Sequence, residues 1–223
     1  MKNSCFDLLF LCSLWFLGGC KGRIQSTPHE TSKFDTTRTE HNMKEKHATS
    51  LTVKSLKALW GLPRGTMIDT LDLSHQQLTE VPALYHYKIK VLNLSHNKLK
   101  GNFMDGNLPM DSLELLDVSY NHLKELTVGS TFLRLKKMLC HHNDLSYLRI
   151  SSATTYVVAS HNQLTSFEIS TKKENELSRS DYSLSYLDLS YNPHQLYVRF
   201  DPKDIDTLIL KGTPPLGQIE LYF

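Results

Sequence analysis

Six ring-bearing side chains recur at intervals of roughly twenty to thirty positions: His75, His96, Tyr120, His142, His161 and Tyr191, with Gly212 next in the series. Imidazoles brought side by side, His75 on His96 and His142 on His161, have the donor chemistry for a metal ion and a charge that changes near neutral pH. A second series, Asp72, Asp117 and Asp188, supplies carboxylates, the groups that work in pairs as general acid and base. Of four cysteines, Cys5, Cys12 and Cys20 fall in the first 20 residues and Cys140 stands alone. A disulfide framework is therefore not expected. The spacings H-E-x-x-H, G-x-S-x-G and G-x-x-x-x-G-K-[ST] do not occur, so neither a metalloprotease helix, a nucleophile elbow nor a phosphate loop is encoded. No enzyme, cofactor or metal site is expected.

The interval itself comes from a repeated stretch. Ile89 to Leu99 reads IKVLNLSHNKL, with apolar Ile89, Leu92, Leu94 and Leu99 and with Asn97 between the last two. Six other stretches keep this spacing: Ile68, Leu71, Leu73, Leu78 with Gln76; Leu113, Leu116, Val118, Leu123 with Asn121; Leu135, Met138, Cys140, Leu145 with Asn143; Thr154, Val157, Ala159, Leu164 with Asn162. The sixth coil has Leu184, Leu187 and Leu189 with Asn192, but His194 where Leu is expected; the last has Ile205, Leu208 and Leu210 with Thr213 and breaks off into Pro214-Pro215.

Seven copies of L-x-x-L-x-L-x-x-N-x-L resemble the leucine-rich repeat. The resemblance covers residues 68 to 213 and implies an α/β solenoid, a curved stack of about seven coils with a parallel β-sheet on its concave face and a short N-terminal cap helix. It also implies a ladder of Gln76, Asn97, Asn121, Asn143, Asn162 and Asn192, whose amides bond backbone groups of adjacent coils. Family consensus often places His or Tyr where the ring series falls, so turn chemistry competes there with a metal or pH role. Asp72, Asp117 and Asp188 are separated by other coils and read as exposed consensus positions. Cys140 points inward as a small apolar residue, where no charge activates its thiol.

Side chains alternate along a strand, so the residues on either side of the second apolar position face outward. One such column is Thr70, Val91, Leu115, Lys137, Tyr156, Tyr186 and Thr207; the other is Asp72, Asn93, Asp117, Leu139, Val158, Asp188 and Ile209. Coils three to six thus expose Leu115, Leu139, Tyr156, Val158 and Tyr186 where a solvated sheet carries polar residues. An outward apolar and aromatic cluster marks an interface, unless these side chains only pack on one another or under an inserted loop. The expected partner-binding set is Leu115, Tyr120, Lys137, Leu139, His142, Tyr156, Val158, His161, Tyr186 and Tyr191. Its expected partner is a protein. From Leu51 onward there are 18 basic and 18 acidic residues, so nucleic acid, which needs a basic stripe, is excluded.

The flanks carry further expectations. Residues 1–19 have Lys2 and an apolar run from Leu8 to Leu17, the proportions of a signal peptide. The sequence Leu17-Gly18-Gly19-Cys20 resembles the lipobox of bacterial lipoproteins. That resemblance implies Cys20 as the lipid-attachment residue, palmitate-type acyl chains holding the protein at a membrane, and, from Lys21, the outer membrane of a bacterial cell envelope. Residues 20–50 are polar and are expected to form a flexible tether. Residues 51–66 are expected to cap the stack, with a short helix from Ser55 to Trp60 stopped by Gly61 and Pro63. Repeats are expected over 67–216, interrupted by a polar insertion at 171–183. Residues 217–223 alternate, which predicts a C-terminal edge strand through which the chain could pair with a second copy as an envelope scaffold.

Overall fold

The computed structural model describes residues 50–103, 105–170 and 182–217. Two parallel sheets enclose one core. The larger contains β1 (Thr52–Val53), β2 (Met67–Asp72), β3 (Lys88–Asn93), β5 (Leu115–Asp117), β7 (Lys137–Leu139), β9 (Tyr156–Val158), β11 (Tyr186–Asp188) and β13 (Thr207–Ile209), hydrogen-bonded in that order. Every pairing is parallel and places equivalent repeat positions side by side, Leu71 on Leu92, Leu92 on Leu116, Leu116 on Met138. The chain is a leucine-rich repeat solenoid of about seven turns with this sheet on its concave face.

In coils two to six the returning half is not an irregular turn. It forms a second sheet from β4 (Lys100–Phe103), β6 (His122–Thr127), β8 (Tyr147–Ser151), β10 (Ser166–Ser170) and β12 (Tyr197–Val198). The reason lies in period-two alternation after each Asn: Leu148-Arg149-Ile150, Phe167-Glu168-Ile169 and Val198-Arg199-Phe200 bury their first and third members and leave the middle one outside. Among the described residues the one α-helix is in the cap; coils two to six are β on both faces, with short 3-10 turns at Asp105–Asn107 and Pro202–Asp204.

Between the sheets the inward residues are sealed. Leu71, Leu92, Leu116, Met138, Val157 and Leu187 have no exposed surface, nor do Phe132, Phe167 and Phe200. Each such side chain stabilises by roughly 1.5–3 kcal/mol. In the sixth coil His194 is exposed and Leu196, two residues on, is fully buried; a longer turn through Pro193 shifts the core position rather than losing it.

The cap is α1 (Leu56–Trp60), whose Ser55 hydroxyl accepts from the Ala58 N–H at 3.2 Å and which ends at Gly61. Leu59 is buried, and the Tyr87 hydroxyl donates to the Leu59 carbonyl at 3.1 Å. Ahead of the helix, β1 pairs with β2, extending the sheet one strand beyond the first repeat. The expected signal peptide (1–19), the expected Cys20 and tether (20–50) except residue 50, the expected insertion (171–183) except residues 182–183, and the expected C-terminal strand (217–223) except residue 217 lie outside the described residues.

The Asn side chains join the coils. Asn121 Nδ2 donates to the carbonyls of Leu94, one coil back, and Val118, both at 3.0 Å, while Oδ1 accepts from the Leu99 N–H at 3.0 Å. Asn97, Asn143, Asn162 and Asn192 repeat this set. At the ends the substitutes keep part of it. Gln76 reaches the Lys54 carbonyl at 2.9 Å, and the Thr213 hydroxyl donates to Leu189 O at 2.7 Å. Replacing Asn121 by Ala strands three buried backbone groups, and an expected loss of about 3 kcal/mol follows. Gln76→Ala, at the wetter end, is expected to cost under about 1 kcal/mol. Urea unfolding of the two variants checks this, and equal losses would contradict it.

Candidate functional site

Three rows of side chains cross the eight-stranded sheet. In the first, Thr70, Val91, Leu115, Lys137, Tyr156, Tyr186 and Thr207 are successive Cα partners; in the second, so are Asp72, Asn93, Asp117, Leu139, Val158, Asp188 and Ile209. All are half-buried except Thr207, which is exposed. The register sets Leu115, Lys137, Leu139, Tyr156, Val158 and Tyr186 in one block. Within it the Tyr156 and Tyr186 rings stack at 4.2 Å and 6°, and Lys137 Nζ lies 4.7 Å from the centre of the Tyr156 ring. These side chains pack on one another and still present a surface. Burial, then the Tyr156 phenol and the Asp188 carboxylate, raises the Tyr186 hydroxyl above the usual phenol value.

The carboxylates of the second row have a local task. Asp72 accepts from the Ser74 N–H at 3.1 Å, Asp117 from Ser119 at 2.9 Å and Asp188 from Ser190 at 2.9 Å, and Asn93 does the same for Ser95 at 2.9 Å. They close the turn that ends each strand.

That turn generates the third row. His75, His96, Tyr120, His142, His161 and Tyr191 all have φ between 52° and 56°, and Gly212 has 69°. Each N–H donates into the following coil, as His161 does to Ser190 O at 2.9 Å and Tyr191 to Lys211 O at 2.8 Å. Fixed in identical backbone, the six rings form one uninterrupted stack with centroids 4.4, 4.2, 4.5, 4.3 and 4.5 Å apart and planes within 19°. Two residues absent from the sequence expectations join it. His141 stands edge-on to Tyr120 and His142 at 5.2 and 5.5 Å, and Lys211 Nζ lies 5.7 Å from the Tyr191 ring. The doublet His141-His142 was the available signal for the first.

Parallel stacking decides against a metal. Imidazole lone pairs lie in the ring planes, and parallel planes do not converge on one ion at the 2.0–2.1 Å that zinc requires. Among the described residues no group of three candidate ligands is assembled. Cys140 is fully buried, and burial followed by the Asp117 charge drives its thiol far above the ordinary range, leaving it inert.

The ten expected partner-binding residues therefore fall into two groups: the block of Leu115, Lys137, Leu139, Tyr156, Val158 and Tyr186 across the first two rows, and Tyr120, His142, His161 and Tyr191 in the ring stack.

Comparison with known proteins places this geometry in context. The chain is 37% identical to fibromodulin of Oryctolagus cuniculus over 144 residues, which is 60% of the chain and 90% of that relative. It is 36% identical to fibromodulin of Homo sapiens over 131 residues, covering 56% of the chain and 32% of the relative. Lumican of Rattus norvegicus is 34% identical over 103 residues, or 39% of the chain and 30% of the relative. No family model matches. These relatives are animal small leucine-rich proteoglycans, and they overturn the bacterial lipoprotein expected from Leu17-Gly18-Gly19-Cys20. They are secreted proteins of the extracellular matrix, which likewise corrects the cell-envelope, outer-membrane location. A leucine, two glycines and a cysteine after an apolar run are common residues, and they constrain origin far less than seven spaced repeats. Lipid attachment at Cys20 and pairing through the C-terminal edge gain no support, and no described helix is long and apolar enough to cross a membrane.

Two outcomes are expected from the stack. At Gly212 an added Cβ meets Tyr191 Cδ1 at 2.9 Å, while at Gly65 (φ 81°) it meets nothing within 4 Å. Gly212→Ala should therefore cost about 1 kcal/mol more than Gly65→Ala, which carries only the positive-φ strain; thermal unfolding of both tests it. Burial, then His161 and His141, lowers the His142 pKa, and burial also lowers that of His141 against the pull of Asp117 and Asp188. The unfolded chain consequently binds more protons just below the ordinary imidazole pKa of 6.5. Stability is full above that value and falls as pH drops through the folded pKa values. A His141→Gln/His142→Gln double variant should show a shallower fall in urea midpoint between about pH 7.5 and 5; an unchanged fall would refute the assignment.

Proposed function

As the chain belongs to the small leucine-rich proteoglycan family of fibromodulin and lumican, we propose that it is a non-catalytic binding protein that takes a protein partner on its concave sheet. The site is the block of Leu115, Lys137, Leu139, Tyr156, Val158 and Tyr186. The observation that carries the reading is the stacked Tyr156–Tyr186 pair with Lys137 against it, held outward on a sheet whose other face is fully buried. Aromatic rings fixed by packing lose little entropy on binding, and the Lys137 ammonium adds a donor beside them; such centres dominate interface energetics.

Coils one and two offer Thr70, Asp72, Val91 and Asn93 at the same positions, mostly polar, so the contact is centred on coils three to six. The ring stack borders this surface at the turns that follow each strand. It gives that rim a fixed shape rather than a reactive group.

The test compares partners recovered from extracellular-matrix extract by the wild-type chain and by a Leu139→Ser/Tyr156→Ser/Tyr186→Ser variant of matched secondary structure. The variant should lose at least one partner, with affinity reduced about tenfold or more. Identical recovery by both chains would remove the concave block from the interface.

A further inference from the structure

The opposite edge of the concave sheet, where the chain enters each strand, has a feature unrelated to the repeat. Turns preceding β2, β3, β5 and β7 enclose a cleft of about 510 Å³, lined among others by Met67, Tyr85, Lys88, Met110, Asp111 and Arg134. This volume falls within the range of ligand-binding clefts. Its walls are braced by backbone bonds, Gly65 N–H to His86 O at 2.7 Å, Leu84 N–H to Asn107 O at 2.8 Å and Tyr87 N–H to Leu84 O at 3.0 Å. The cleft is therefore preformed.

Its lining combines two properties. Met67, Tyr85 and Met110 are 64%, 54% and 37% exposed, three of the eight large apolar side chains exposed among the described residues. Gathering them in one concavity is the arrangement of an interaction site, not of scattered surface residues. Three cations share the lining, and they are not equivalent. Lys90 is held by Asp69 at 2.6 Å, whereas Lys88 and Arg134 have no ion pair among the described residues. Asp111 is the one carboxylate in the lining. An unbalanced positive charge thus stands beside flexible thioethers and an aromatic ring.

We propose that this cleft docks an acidic segment of a partner protein. A carboxylate side chain of the segment meets Lys88 and Arg134, and a bulky apolar neighbour sits among Met67, Tyr85 and Met110. A carboxylate suits the Arg134 guanidinium, which offers paired donors in one plane. Methionine side chains repack around varied apolar shapes, so the apolar half tolerates different residues. A simple anion leaves the thioethers and Tyr85 without a role, and nucleic acid does not suit a repeat region of balanced charge. This docking site is separate from the concave block and stands whether or not that block binds.

The experiment titrates the full chain into a fluorescein-labelled peptide of alternating Glu and Phe, followed by anisotropy, with an all-Gln counterpart in which every Glu is replaced. Saturable binding of the acidic peptide is expected, weakened about tenfold or more by Lys88→Gln with Arg134→Gln, and similarly by the Gln peptide. Met67→Ser with Met110→Ser should weaken it as well, while Tyr156→Ser/Tyr186→Ser leaves it unchanged. Circular dichroism confirms that these surface variants remain folded. Failure of the acidic peptide to bind, equal binding of Glu and Gln peptides, or full retention by the Lys88/Arg134 variant overturns the proposal. Polyglutamate binding as tightly as the Glu-Phe peptide would overturn its apolar half.

Discussion

The structure depends on one buried amide per coil. A chain that turns sharply off a strand leaves two carbonyls and an N–H pointing into the core, and Asn is the side chain short enough to stay there and equipped to meet all three. Asn121 does this by bonding Leu94 O and the Leu99 N–H in the coil before it and Val118 O in its own coil. Because two of those bonds reach back a coil, the same interaction that closes a turn also sets the spacing and register between turns. The sheet alignment, the inward leucines and the outward columns are consequences of that register.

The ring stack follows from the same turn. Reaching the buried Asn forces the residue before it into left-handed backbone, which costs an L-residue roughly 1 kcal/mol or more. Glycine avoids the cost but contributes nothing to its neighbours. Histidine and tyrosine accept the strain and recover it, since rings stacked in register are worth roughly 0.5–1.5 kcal/mol a pair. These two quantities are of one size, so a continuous stack of six rings is a balanced solution while a solitary ring at this position would not be. The seventh coil confirms the logic from the other side: Gly212 takes the backbone without strain, and the Tyr191 ring occupies the space its Cβ would need.

Repeat, Asn ladder, outward columns and the helical cap at Leu56–Trp60 were all readable from residue spacing, because each is imposed by a local rule that every coil obeys. The second sheet was present in the sequence as Leu148-Arg149-Ile150 and Phe167-Glu168-Ile169, each starting five residues after its Asn, but it lies beyond the repeat template, which ends two residues after that Asn. The stacking of His75 on His96 and of His142 on His161 was legible in spacing, and its inability to ligate a metal was not, since that turns on ring planes. The entry cleft was invisible. Its walls come from turns such as 84–88 and 108–112, whose lengths the repeat leaves free, and nothing local brings Met67, Met110 and Arg134 together.

The difference between the two edges of the sheet has a physical origin that bears on recognition. At the exit edge the Asn turn constrains every coil to the same backbone, so side chains there can only form regular rows. Regularity gives shape, and a row of near-identical rings discriminates poorly between ligands. At the entry edge no buried Asn amide holds the turns, and neighbouring coils differ in length by several residues. Irregular turns are what allow unlike groups, a thioether, a phenol, an ammonium and a guanidinium, to converge on one concavity. A solenoid built on a uniform internal bond thus concentrates its chemical individuality where that bond does not reach: at the outward positions of coils three to six, and in the turns that lead into the strands.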